Sequence, residues 1–399
     1  LPDILSWFVI ACGVGALGGT VTAWFLIALE YVTNTRLQNP WLIYLLPLAG
    51  VAIAFVYRKF GKNSELGNNL LIDEIHNPQA IVPLRMAPLV LLGTLATHLF
   101  GGSAGREGTA IQMGGALADQ FTKILRLTHE RRKVLLMSGI SAGFAAVFGT
   151  PLAGAVFGFE VLAIGRVKYN ALLPCFTAAV IADRVCRAWG VNHQLYNIIS
   201  IPSLGLFEVG IALLAGACFG LCAYIFSWAS HRSHKFFKLT VPNTELRALL
   251  GGLIVVAAVA LLQTDRYLGL GIPVIVESFQ KSVPFYDFFL KMAFTIITLS
   301  SGFKGGEVTP LFFIGATLGN ALAWVLPLPM SLLSGMGFVA VFAGAANTPL
   351  ACILMSFELF GPQASVYTAL ACVASYVFSG HAGIYHSQRV EVEKYATKN

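Results

Sequence analysis

The sequence predicts an all-α polytopic membrane protein made of a duplicated half, with broken and re-entrant helices. Three observations carry that expectation. Of the 399 residues 56% are hydrophobic and only 11% are charged, with a mean hydropathy of +0.74, a balance that no ordinary soluble domain of this size shows. Apolar stretches recur along the chain in two lengths. Two glycine-containing motifs recur in the same order about 200 residues apart.

The apolar stretches run from Ile4 to Leu29, Trp41 to Tyr57, Leu89 to Phe100, Leu204 to Trp228, Leu249 to Leu262, Leu311 to Leu328 and Val366 to Phe378. Several reach the roughly 20 residues that span a bilayer, and others fall short. A short apolar helix in such a protein implies a segment broken inside the membrane, tolerated only where protein or water covers the free backbone ends. The first stretch opens at Leu1 without a basic leader or a small-residue cleavage site, and reads as a retained helix.

Basic clusters lie at Arg58-Lys59 with Lys62, from Lys123 to Lys133, at Arg166 and Lys168, and from His231 to Lys238. The positive-inside rule places these loops in the cytoplasm. The net charge of +7 therefore needs no nucleic-acid partner, and no basic helix with interleaved aromatics points to one. The cysteines, Cys12, Cys175, Cys186, Cys218, Cys222, Cys352 and Cys372, are odd in number and lack a CxxC pair. Neither a disulfide framework nor a zinc site is expected, and no metal or cofactor is called for. His76 and His129, near charged loop ends, are expected to be solvated.

The internal repeat organises the chain. Thr150-Pro151-Leu152-Ala153, continuing to Phe159-Glu160, matches Thr348-Pro349-Leu350-Ala351, continuing to Phe357-Glu358. Upstream, Gly105, Glu107, Thr109, Gly115 and Ala116 match Gly305, Glu307, Thr309, Gly315 and Ala316. Two blocks in the same order favour a duplicated half, with boundaries at 1–199 and 200–399. Duplicated membrane halves pack about a pseudo-two-fold axis with the substrate site at their interface.

Three helix starts interrupt the apolar pattern: Gly67-Asn68-Asn69, Gly105 to Thr109, and Gly305 to Pro310. Glycine lets the backbone leave helical geometry and approach a ligand. A helix that begins inside the membrane points unpaired N–H groups and a positive dipole end into the protein, which makes an anion site without a full positive charge. The bland alternative is tight helix packing through small residues. Polar and acidic residues accompany the glycines at all three places, and an acid within the membrane marks function.

On these motifs the chain resembles the CLC family of chloride channels and chloride/proton exchangers. Gly105-Arg106-Glu107-Gly108 resembles that family's GREGP filter motif, with Thr109 in place of proline. Gly305 to Pro310 is similar to its GxFxP motif, and Pro151-Leu152-Ala153-Gly154 to its PLAG helix start. Tyr385 falls where the family's late tyrosine touches the central anion. The resemblance implies two inverted halves, eighteen mostly tilted helices, and a homodimer with one pore per subunit.

Departures from the pattern point to a branch. Gly67-Asn68-Asn69-Leu70-Leu71 stands where most relatives have GSGIP, whose serine contacts chloride. Glu307 and Thr309 occupy positions that are usually apolar. Exchangers carry paired glutamates after the PLAG helix, and here the pair is Glu160-Val161, so the inner proton relay is missing. Together these resemble the bacterial fluoride/proton antiporters, which export fluoride across the inner membrane.

Fluoride is a small, strongly hydrated anion, and dehydrating it demands close donors. The amides of Asn68 and Asn69, the Thr309 hydroxyl, the backbone N–H groups of Gly105, Arg106, Gly108 and Val308, and Tyr385 are the candidate anion ligands. Glu107 is the candidate gate and proton carrier, since its charged form competes with an anion for the helix ends and its protonated form releases them. Glu307 has two readings, a role in coupling or a helix-terminal acid paired with the dipole or with Lys304. Arg106 is expected to anchor the filter, because a buried full charge would hold an anion too tightly. Asn68 and Asn69 can also cap the following helix, and Tyr385 can also read as an interfacial belt residue. Glu160 and Glu358 are expected to be structural acids at corresponding helix ends, and Asp73 and Glu74 to serve the charged end of their helix.

The residues bear on two other classes. A chloride channel or chloride/proton exchanger of the same architecture would conduct chloride. An intramembrane hydrolase would need a nucleophile and base, and no Ser-His, HExxH or paired-aspartate constellation lies on the apolar helices. The expected unit is a proton-coupled anion transporter in the lipid bilayer, without an appended cytoplasmic regulatory domain.

Overall fold

Among the described residues, eight α-helices are followed by eight more of similar length in the same order. The computed structural model describes residues 2–395. The first set is α1 (Pro2–Gln38), α2 (Leu46–Phe60), α3 (Asn68–His76), α4 (Met86–Leu99), α5 (Glu107–Ile124), α6 (His129–Phe148), α7 (Pro151–Glu160) and α8 (Leu172–Ala188). The second is α9 (Leu206–Thr240), α10 (Thr244–Leu262), α11 (Ile272–Gln280), α12 (Asp287–Ser300), α13 (Val308–Leu322), α14 (Met330–Ala346), α15 (Pro349–Phe360) and α16 (Ser365–Phe378). Sixteen α-helices among the described residues correct the eighteen implied by family resemblance. The segment after Phe378 runs as turns and a two-residue strand, Arg389–Val390, paired in parallel with Ala163–Ile164.

Among the described residues, four helices are long and apolar enough to cross a membrane, and several apolar helices are shorter, including α4, α13, α14 and α15. The two lengths follow from local chemistry. α6 and α14 stop at Gly149 and Asn347, both left-handed with φ of 72° and 55°. Such a residue closes a helix, and Thr-Pro then restarts the chain as α7 and α15 with proline in the first turn, where its missing N–H costs nothing. Nearly every side chain of α6 beyond Arg132, and every one of α14 beyond Met330, is buried, so these two form the centre of the protein. Their flanking glycines bring backbones together: a Cβ on Gly114 would lie 2.4 Å from Gly139 O, and one on Gly315 would lie 2.0 Å from Gly337 O. At those positions the small-residue packing reading is the right one.

α7 and α15 cap one another. Glu160, at the end of α7, accepts from Leu350 N (2.9 Å) and Ala351 N (2.7 Å) at the start of α15. Glu358, in the last turn of α15, accepts from Leu152 N and Ala153 N, both at 2.9 Å, at the start of α7. The two helices therefore run head to tail, as inverted repeats require. Each carboxylate satisfies two orphan N–H groups and meets the positive end of a dipole.

The basic clusters gather with the chain termini. Arg131 pairs with Asp3, Arg58 with Glu245 at 2.9 Å, and Arg166 with Glu391 at 2.9 Å. His231 stacks on His386 at 3.9 Å. Glu74 is not at a solvated helix end: it is buried with Arg132 at 2.9 Å, which also holds the buried Asp119 at 2.7 Å. Asp73 is exposed. His129 is exposed as expected, whereas His76 is half-buried, with Nε2 2.9 Å from Leu162 O. The segment carrying Leu162 folds over the end of α3 and removes His76 from water.

Candidate anion pathway

All three interrupted positions are helix starts. α3 begins at Asn68 after Gly67 (φ 59°), α5 at Glu107, and α13 at Val308 with Glu307 in the capping position. The starts of α5 and α13 meet face to face, because Gly105 N donates to Gly306 O at 2.6 Å and Gly306 N to Gly105 O at 2.7 Å. This two-residue bridge is the point where the repeated motifs touch. A Cβ on Gly105 would fall 2.6 Å from Glu107 Oε2 and one on Gly306 2.8 Å from Gly108 N, so glycine at both positions is what lets the backbones close on the carboxylate.

Glu107 has no exposed surface. Its Oε2 accepts from Arg106 N at 3.0 Å and Thr309 N at 3.1 Å, and its Oε1 pairs with Thr309 Oγ1. The Arg106 Nε stands 3.8 Å from Oε1. The carboxylate thus takes donors from both helix starts, which is the coordination a small anion would receive there. Neighbouring residues face opposite ways. Arg106 lines an outer cavity of about 360 Å³ that also holds Glu30 and His193. Gly108 lines an inner cavity of about 350 Å³. Glu107, between them, lines neither.

The inner cavity brings together Asn68, Asn69, Gly108, Glu307, Val308 and Tyr385. A central space of about 10 Å³, enough for about one water-sized particle, adjoins it behind Asn68 and Tyr385 and is walled by Ile72, Ile111, Phe157 and Val161. Asn68 Oδ1 is buried without a partner. Because a half-turn of a carboxamide exchanges acceptor for donor, an occupant of the cavity can set which end it meets. Asn69, which lines the same cavity, is oriented by its Oδ1 accepting from Ser387 N at 3.1 Å. Thr309 is buried against Glu107, and Gly105 sits in the bridge rather than on either cavity.

Tyr385 is 6% exposed and meets Phe157 edge-on at 6.4 Å. Its position is fixed by its neighbours: Ile384 N donates to Ala345 O at 2.8 Å, and Gln388 Nε2 donates to Val161 O and Ala346 O, both at 3.0 Å. A belt role at a lipid interface does not fit a ring enclosed in this way.

Glu307 is partly exposed in the inner cavity. Lys304 lines the same cavity, but its Nζ sits 4.1 Å from the Tyr57 ring centroid, a cation–π contact. Of the two anchors expected for Arg106, carbonyls or carboxylates, the side chain meets a carboxylate: its Nε faces Glu107 Oε1 as an ion pair at 3.8 Å without a hydrogen bond, and the side chain reaches the outer cavity.

Two further side chains of α5 shape the pathway. Thr109, where relatives have proline, keeps a hydroxyl that lies 2.6 Å from Thr94 Oγ1 and ties α4 to α5. Gln112, one turn further along α5, reaches to within 3.3 Å of where a Gly67 Cβ would stand. Only the i+3 to i+5 spacing on one helix could have marked Gln112 as facing the α3 start.

A family model described as "Voltage gated chloride channel" matches residues 49–380. The chain belongs to the CLC family. CLC proteins are channels and transporters rather than enzymes, and this one is a predominantly helical polytopic membrane protein. Among its CLC relatives is the "Chloride/fluoride channel protein" of Pseudomonas syringae pv. tomato, 55% identical over 99% of this chain and 89% of that protein. The "H(+)/Cl(-) exchange transporter ClcA" of Vibrio parahaemolyticus is 27% identical over 89% of this chain and 82% of its own length. Among solved structures, one described as a CLC-type fluoride/proton antiporter aligns with a TM-score of 0.94 at 35% identity, covering 98% of this chain and 99% of that one. A slow cyanobacterial Cl⁻/H⁺ antiporter, at 20% identity and a TM-score of 0.83, shares the fold.

Proposed function

We propose that this CLC protein is a fluoride/proton antiporter that exports fluoride from the bacterial cytoplasm across the inner membrane in exchange for protons. The observation that carries the reading is the placement of Glu107. Its carboxylate fills the donors of two facing helix starts, between an outer cavity reached by Arg106 and an inner one reached by Gly108. While charged, it competes with an anion for those donors. Once protonated it gives them up, so the anion enters as the acid leaves, and the two species move in opposite directions. Glu107 is then gate and proton carrier.

The donor set supports fluoride. A hydroxyl at Thr309 and an amide at Asn68 add to the backbone donors, and short charge-assisted hydrogen bonds favour the smaller, harder anion. Val161 walls the central space, so a proton has no carboxylate there to receive it. The route assigned to it runs from Glu107 past Thr309 to Glu307 in the inner cavity. The structure described as a fluoride/proton antiporter, similar over 98% of this chain, supports the same reading. Residues 1–199 and 200–399 are read as its two inverted halves, and the working form as a homodimer.

A second reading, passive anion conduction, is favoured by the name of the 55% identical relative, a chloride/fluoride channel protein. Proteoliposomes loaded with fluoride or chloride and placed in a pH gradient separate the two. Antiport requires that the gradient drive fluoride uphill and that Glu107→Gln abolish the driven flux. Downhill flux indifferent to pH, or intact pH-driven flux in Glu107→Gln, removes the proposal in favour of the channel.

A further inference from the structure

A further cavity, of about 450 Å³, lies where the last turns of α1 and α4 meet the start of α11. α1 is about 55 Å long at 1.5 Å per residue, and this is the end remote from Asp3 and the basic clusters. The cavity touches the outer one through Thr33, Leu270 and Ile272 but includes neither Arg106 nor Glu107.

Two of its lining side chains present donors with nothing to meet. Arg36, 6% exposed, has no partner for Nε. Arg266 has none for Nη2. Guanidinium groups only donate, and buried donors left unpaired are costly, so the missing partner is an acceptor.

The nearby carboxylates do not supply it. Asp287 and Glu277 take Arg266 Nε and Nη1, each at 2.8 Å, and neither lines the cavity. Asp265 lines it, but its side chain is 59% exposed and 4.0 Å from Arg36 Nη2. Behind the wall, Lys291 is buried and donates to Tyr267 O at 3.0 Å and Gly269 O at 2.7 Å.

The repeat supplies a second argument. α11 is the counterpart of α3, and Gly271 before it is left-handed (φ 74°) as Gly67 is before α3 (φ 59°). The α3 start opens on the inner cavity with Asn68. The α11 start opens on this one with Gly271, Ile272 and Val274. A bare halide would leave most of such a volume empty, and Leu37, Leu268, Leu270 and Pro273 make the rest of the wall apolar. Convergent donors at one end and an apolar wall at the other fit a polyatomic anion attached to an apolar body.

We infer that this cavity is a binding site for a phosphate-class oxyanion, held by Arg36 and Arg266 at the start of α11. The group can come from a phospholipid headgroup or from free phosphate, and the test separates them. The full-length protein in phosphatidylcholine nanodiscs is titrated with inorganic phosphate, and in parallel offered phosphatidylglycerol, with bound ligand counted by native mass spectrometry. Arg36→Gln is expected to weaken binding by about tenfold or more, the loss of one charged donor. Leu268→Trp, which fills the cavity without touching a charge, is expected to weaken the lipid more than the free ion. Retention of phosphatidylglycerol alone assigns a headgroup site, and saturable binding of phosphate alone assigns a free-anion site. If neither binds, or if Arg36→Gln and Leu268→Trp both bind as the parent does, the inference is overturned. Should Arg36→Gln fail to fold, Leu268→Trp decides the matter.

Discussion

At the start of α5, Glu107 is sealed from solvent and accepts from Arg106 N and from both the amide and the hydroxyl of Thr309. At the start of α13 its counterpart Glu307 stands partly exposed in the inner cavity beside Lys304. One repeated pattern has produced two environments. At α7 and α15 the same duplication has kept its symmetry, with Glu160 and Glu358 each taking two backbone N–H groups from the other's helix. Where both copies of an acid do the same work, the work is structural. Where the copies diverge, one has been given a task that the other does not share.

The largest effect expected from that contrast is at Glu107. Glu107→Gln keeps the size and removes the titration, and pH-driven fluoride flux should fall at least about 100-fold, within the range for a lost proton-transfer group. Glu307→Gln should act differently. If Glu307 passes protons in the inner cavity, driven flux falls by about tenfold while equilibrium fluoride binding, followed by calorimetry, is retained. Equal losses of flux and binding would instead make Glu307 part of the anion site, and unchanged flux would leave it an inner-mouth charge.

Thr309→Val removes a hydroxyl that touches Glu107 and leaves its backbone donor in place. One hydrogen bond to a charged group contributes about 1.5–3 kcal/mol. The charged gate thereby loses one of its holders, and pH-driven fluoride flux should fall by less than in Glu107→Gln. Unchanged driven flux would separate Thr309 from the gate and leave the backbone N–H groups as its holders.

Much of this contrast was legible in sequence, and the limits are physical. The starts of α3, α5 and α13 were readable because glycine next to a polar or acidic residue has few other uses inside an apolar run. α6 is hidden in the sequence because His129-Glu130-Arg131-Arg132-Lys133 opens it as though it were a surface helix. In the fold Arg132 is drawn inward by Glu74 and Asp119. The symmetric placing of Glu160 and Glu358 could be read from the repeat, but not their partners, which lie about 190 to 206 residues away. Side-chain direction was hidden as well. Asn68 and Asn69 are adjacent and alike and both line the cavity, yet the Oδ1 of Asn68 has no partner and that of Asn69 accepts from Ser387 N.

The smallest effects belong to the symmetric pair, and they test the structural half of the comparison. Glu160 is 6% exposed and its two acceptor distances are 2.9 and 2.7 Å. Glu358 makes the same two bonds at 2.9 Å from a more exposed position. Replacing either with glutamine leaves one oxygen able to accept and turns the other into a donor facing an N–H, so each helix start keeps about half its cap. The cost should be about 2 kcal/mol at Glu160 and less at Glu358, where water can replace the lost acceptor. Thermal unfolding in detergent should therefore rank the parent above Glu358→Gln and that variant above Glu160→Gln, while fluoride flux per folded molecule stays unchanged in both. A Glu160→Gln protein that folds normally but loses proton coupling would move Glu160 from the symmetric class into the divergent one, and would place the inner proton route one residue from Val161.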